Sequence, residues 1–198
     1  VMEKAGIDAE VAKLSLLKSQ WDNQRWANQR ESATLPSRIE KIRERIESVE
    51  ADIGNREDVR GNRFGMVIDG KRYHERSIAG EVLQRYYSEA KARTRKFGNW
   101  KSSPGEMSVG QFAGFDLVVS IPTGTSDGPC FILKGRRAYA AHHSDNPQGM
   151  VRVVENVANS LEGRLAEAYE DAARAEKRLA DILTELAKPF EKEERLTQ

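Results

Sequence analysis

Of the 198 residues, 38% are hydrophobic and 32% charged, a balance that suits a long, solvent-washed object better than a compact enzyme core. A single cysteine, Cys130, excludes an internal disulfide and fits a reducing compartment. No apolar run approaches the length of a membrane span. The net charge of +1 hides an uneven distribution, because residues 60–101 hold eleven Lys/Arg against four Asp/Glu while both flanks are acidic. Such a local excess suits phosphate backbones or an acidic partner, and equally a solvated face.

In chain order, residues 8 to about 32 read as helix, with Val11, Leu14, Leu17, Trp21 and Trp26 as apolar positions. The chain opens at Val1 directly on this pattern, which suggests a segment cut from something longer. Thr34-Leu35-Pro36-Ser37 interrupts it, so the arm is two helices or one kinked at Pro36. The second run, to about residue 55, carries Ile39, Ile42, Ile46, Val49 and Ile53 at steps of three and four and ends near Gly54-Asn55.

A Gly-rich middle follows. Arg63–Ile68 alternates as a strand, Asp69-Gly70 signals a two-residue turn, and Lys71–His74 continues beyond it. Ser77 is placed to cap a helix from 78 to about 93. Gln111–Ser120 and Phe131–Lys134 read as strands, the latter extending through Arg137–Ala141, with a Pro122–Pro129 loop between them. Cys130, at the start of the second, is expected as a buried small hydrophobe rather than a nucleophile.

A long helix is expected from near Met150 to Lys188-Pro189. Its apolar positions, Val154, Ala158, Leu161, Leu165, Ala168, Ala172, Ala175, Leu179, Ile182 and Leu186, step by four and three without a break. A stripe of that kind needs a partner helix. The expected fold is therefore α+β: an N-terminal helical arm (1–59) and a C-terminal coiled-coil helix (150–198), antiparallel to each other. They would carry a small basic head (60–149) of four or five antiparallel or mixed strands and one helix. A homodimeric coiled coil is the competing arrangement.

No P-loop, dinucleotide fingerprint, nucleophile elbow, zinc-protease, paired-cysteine or calcium-loop pattern occurs. His142-His143 on a strand would face opposite ways, a poor chelating pair even with His74. Asp69, Glu75 and Glu81 could serve a metal-dependent nuclease only if they converged on a cation. The remaining constellation is basic and aromatic. Lys71, Arg72, Arg76, Arg93, Arg95, Lys96, Trp100 and Lys101, joined by Arg136 and Arg137, are the candidate nucleic-acid-binding residues, arginines for phosphates and Trp100 or Tyr73 for stacking. Arg93, Arg95, Lys96 and Lys101 lead that set. No catalytic residue, metal or cofactor is indicated.

Five phrases carry a resemblance. They are Arg63–Lys71 (RFGMVIDGK), Tyr73–Leu83 (YHERSIAGEVL), Gly114–Val118 (GFDLV), Val151–Asn156 (VRVVEN) and Lys188–Leu196 (KPFEKEERL). Together, in this order, the chain resembles the region C-terminal to the helicase motor in very large phage and mobile-element proteins. Those proteins join an adenine-specific DNA methyltransferase to a Swi/Snf-type helicase, and include DarB-like antirestriction proteins. The family pattern would continue past Leu196 with more helix. The resemblance implies a non-catalytic DNA-binding accessory module in the cytoplasm of a bacterial host. Duplex DNA, or the helicase and methyltransferase regions of a parent protein, would be its partners. The alternative is a protein-interaction module that inhibits a bacterial defence nuclease, a restriction or CRISPR complex.

Overall fold

The computed structural model describes residues 2–96, 105–121 and 128–192, the side chains of 2–5, 7 and 94–96 aside. The chain is α+β, with four helices and one antiparallel sheet among the described residues. It divides into two compact units. One comprises Val1–Arg45 and Ala168–Gln198; the other is Ile46–Glu167.

The sheet unit is built on six strands in the order β2-β1-β3-β4-β5-β6: β1 (Met66–Ile68), β2 (Lys71–Tyr73), β3 (Gly105–Phe112), β4 (Phe115–Ile121), β5 (Cys130–Lys134) and β6 (Ala138–Ala141). Every pairing is antiparallel. The Asp69-Gly70 turn forms as expected, with both residues at positive φ (51° and 76°), the geometry that matches strand twist in a tight hairpin. A second such turn departs from the expectation. Ala113 (φ 53°) and Gly114 (φ 83°) reverse the chain inside what reads as a single strand, so Gln111–Ser120 is the meeting of β3 and β4. Likewise Phe131–Ala141 is a hairpin rather than one long strand.

Two helices cover one face of this sheet, α2 (Arg76–Lys96) and α3 (Pro147–Asn159). Ser77 thus lies inside the first turn of α2 instead of capping it. The shared core includes Met66, Ile68, Phe112, Phe115, Leu117, Phe131 and Leu133 from the strands, with Leu83 from α2 and Met150, Val151 and Val154 from α3. Gly80 lets the helices approach closely, since a Cβ there would run into the Pro147 carbonyl. Cys130 faces away from that core, one residue out of phase with Phe131, and is half-buried rather than buried.

Two helix boundaries differ from those expected. The N-terminal helix, α1 (Met2–Asn55), runs as a single helix with Pro36 inside it. Proline denies a donor to the carbonyl four residues back. Burial of Leu35 (5% exposed) and Ile39 (6%) on either side holds the helical path, and Ser32 and Thr34 hydroxyls donate to the carbonyls of Gln29 and Glu31 just upstream. Conversely, the long C-terminal helix is two helices. α3 stops at Asn159, where the Ser160 N–H turns back to the Val157 carbonyl, and α4 (Leu161–Ala187) begins anew.

In the helical unit, α1 and α4 exchange contacts in reverse order along the chain. Arg25 donates to the Leu186 carbonyl (2.8 Å), Glu31 pairs with Arg178 (2.7 Å), Arg43 with Glu176 (2.8 Å) and Arg45 with Asp171 (3.5 Å). Trp21 meets Phe190 with ring centres 5.7 Å apart. Leu35, Ile39 and Ile42 are buried from one side, Ala168, Ala172, Ala175 and Ile182 from the other. Val11 and Trp26, read as apolar-face positions, are exposed instead.

Candidate nucleic-acid interface

The basic residues do not gather into one patch; the sheet sorts them. Lys71 and Arg72 are neighbours on β2, so they point to opposite faces. Lys71 Nζ sits 5.2 Å from the Tyr73 ring on the helix-covered side. Arg72 lies on the other face, alongside the Gly65 backbone. Register places Arg72, Val67, Gln111, Asp116, Lys134 and Ala138 in one row across all six strands. Five strand spacings separate the ends of that row, about 24 Å.

Arg136 and Arg137 stand just beyond the Ala138 end, in the turn between β5 and β6. Both are exposed, and neither side chain has a carboxylate partner among the described residues. Their backbone is held from inside the unit. Asp52, in the last turns of α1 and only 1% exposed, accepts hydrogen bonds from the Arg136 N–H (2.6 Å), the Arg137 N–H (3.1 Å) and the Tyr139 hydroxyl (2.6 Å). Gly135 sits so close that a Cβ would collide with the Asp52 carboxylate. Burial, then the bond to Asp52, raises the Tyr139 phenol well above its ordinary pKa. The turn is thus pre-shaped, with two guanidiniums free outside it.

Other members of the set are occupied. Arg76 makes a forked pair with Glu155 (2.8 Å at the shortest) and stacks on Phe64 at 4.4 Å. Arg93 is paired with Glu89 (2.6 Å) within its own helix. Arg95 and Lys96 fall in the last turn of α2, their side chains outside the described residues, and Trp100 and Lys101 lie outside them altogether. The basic surplus of 60–101 is further reduced because Arg60 and Arg63 both hold Asp58 (3.0 and 2.6 Å). That double pairing, chiefly the Arg60 hydrogen bonds, lowers the Asp58 carboxyl to about 2. Among the described residues of the sheet unit, exposed Lys71, Arg72, Arg85, Lys91, Arg136, Arg137, Arg152 and Arg164 remain without a carboxylate partner.

Asp52 and Arg152 do not stand out in the sequence. Asp52 offers the faintest signal, a carboxylate three residues after Val49 on an otherwise apolar seam. The nuclease carboxylates do not converge. The Tyr86 hydroxyl donates to Asp69, Glu75 and Glu81 are exposed, and among the described residues no three His, Cys, Asp or Glu are placed to hold a metal. His142 and His143 follow β6 rather than lying on it, and His143 stacks on Tyr87 (4.6 Å between centres). No helix among the described residues is long and apolar enough to cross a membrane. Comparison with known protein families, curated proteins and solved structures finds no match to this chain.

Proposed function

We propose that this chain is a non-catalytic DNA-binding module, an accessory part of a phage or mobile-element DNA-modification or antirestriction protein acting in the bacterial cytoplasm. The observation that carries this reading is the Arg136-Arg137 turn. Two guanidiniums without a carboxylate partner among the described residues project from a backbone that a buried carboxylate holds in shape, so little backbone freedom is lost when they meet phosphates. Arg72, at the far end of the same strand row, supplies a second cationic corner about 24 Å away. A duplex carries a charge every ~1.7 Å of its axis, so one duplex spans both corners with phosphates to spare. In the helical unit, reverse-order ion pairs and four-three apolar spacing support reading α1 and α4 as an antiparallel coiled-coil arm.

The experiment is binding of the full chain to a fluorescent duplex across a salt series, with a single strand beside it. Duplex affinity that falls steeply with log salt is expected. Absence of binding at low salt would refute the reading and move the basic turns to an acidic protein surface, such as a defence nuclease.

A further inference from the structure

A cleft of about 260 Å³ opens between the start of α2 and one face of α3, lined by Arg76, Gln148, Arg152 and Glu155. Steps of four and three put Gln148, Arg152 and Glu155 on the same side of α3. Glu155, its side chain 16% exposed, takes the Nε and Nη2 donors of Arg76. The fork and the Phe64 ring beneath it fix the guanidinium plane, but the Arg76 Nη1 donors have no partner among the described residues. Arg152 has no acidic partner among the described residues, and Gln148 brings an amide alongside. Two guanidiniums against one carboxylate leave the cleft with one net positive charge.

We propose that this cleft binds a phosphate group, independently of the Arg136-Arg137 turn and the Arg72 corner. Arg76 Nη1, the Arg152 fork and the Gln148 amide donate to its oxygens. The terminal oxygens of a monoester (three) or a diester (two) are set tetrahedrally about phosphorus, and each accepts more than one hydrogen bond. Donors can therefore approach from separate directions, whereas the two oxygens of a carboxylate lie in one plane. Glu155 stays paired with Arg76, orients it, and keeps the cleft from drawing anions without selection. The same chemistry is available from a phosphate monoester or from the phosphodiester of a nucleic-acid backbone.

The test uses the full chain and inorganic phosphate, followed by calorimetry or by chemical shifts of the arginine side chains. Millimolar phosphate should saturate the site. Arg152→Ala should weaken binding about tenfold, while Arg85→Ala, which removes the same charge from an exposed part of α2, should leave it unchanged. A 5′-phosphorylated oligonucleotide that displaces inorganic phosphate where its unphosphorylated twin does not identifies a monoester site. Displacement by both identifies the backbone, and either result upholds the cleft. No saturation at millimolar phosphate, or equal weakening in the two variants, would overturn it.

Discussion

The Tyr139 hydroxyl lies 2.6 Å from the Asp52 carboxylate, joining the end of α1 to the last strand of the sheet. With the amides of Arg136 and Arg137 on the same carboxylate, the ion is satisfied at 1% exposure. A buried carboxylate persists only with such partners.

Asp52→Ala would strand two amide N–H groups and a phenol, at a cost of about 2–4 kcal/mol in urea unfolding. Tyr139→Phe removes one bond and should cost about 1 kcal/mol. Because the residues touch each other, the double variant should be less destabilised than the two single effects combined. Strict additivity would mean that the Tyr139–Asp52 bond is not held in solution.

Tyr86 predicts an alkaline weakness. Its bond to Asp69, with some burial, pushes the phenol up to about 12 from an ordinary value of 10.0. Between those values the unfolded chain has released this proton and the folded chain has not. Folding then takes up a proton, and stability falls as pH rises from about 10 to about 12. Urea midpoints should decline through that window, and Tyr86→Phe should make the decline shallower, the raised Tyr139 and Tyr87 phenols supplying the rest.

Gly80→Ala tests the packing of α2 on α3. The new methyl meets the Pro147 carbonyl, a backbone atom that cannot step aside. Overpacking of this kind costs about 1–3 kcal/mol. Gly163→Ala, with open space around the added carbon, should instead stabilise α4 by up to about 1 kcal/mol. Circular dichroism melts distinguish the two.

Pro36→Ala should stabilise the chain. Pro36 is exposed inside a continuous helix, where it forfeits a hydrogen bond and crowds the preceding turn, by up to about 3 kcal/mol. A destabilised variant would show that Pro36 does more than sit in the helix.

What the sequence makes legible is periodicity. The four-three stripe marks Ala168, Ala172, Ala175 and Ile182, all buried, because side-chain spacing along a helix is set by backbone geometry alone. Local turn chemistry is legible where glycine follows an acidic residue, at Asp69-Gly70, and hidden at Ala113-Gly114, since alanine rarely takes a positive φ. The start of α3 is visible in Asn146-Pro147, a capping residue followed by a first-turn proline, though composition alone assigns that pair to the end of the head. Its stop at Ser160 leaves no mark in a stripe that keeps step across the break.

The interface is less legible, because charge counts ignore pairing. Arg76 and Arg93 stand in the basic segment, yet Glu155 is 79 residues from the first and Glu89 one turn from the second. Only the fold reveals that Arg136 and Arg137 have no carboxylate partner among the described residues while their backbone is tied to Asp52, 84 and 85 residues away.

The most direct measurement is the salt dependence of duplex binding by the wild-type chain and by Arg136→Ala/Arg137→Ala. Removing one arginine–phosphate pair should reduce the slope of log affinity against log salt by about 1, so the double variant should bind weakly with a slope shallower by about 2. A wild-type chain that binds the duplex with a slope the double variant leaves unchanged would contradict the role given to this turn. A wild-type chain that does not bind at all would contradict the DNA-binding reading itself.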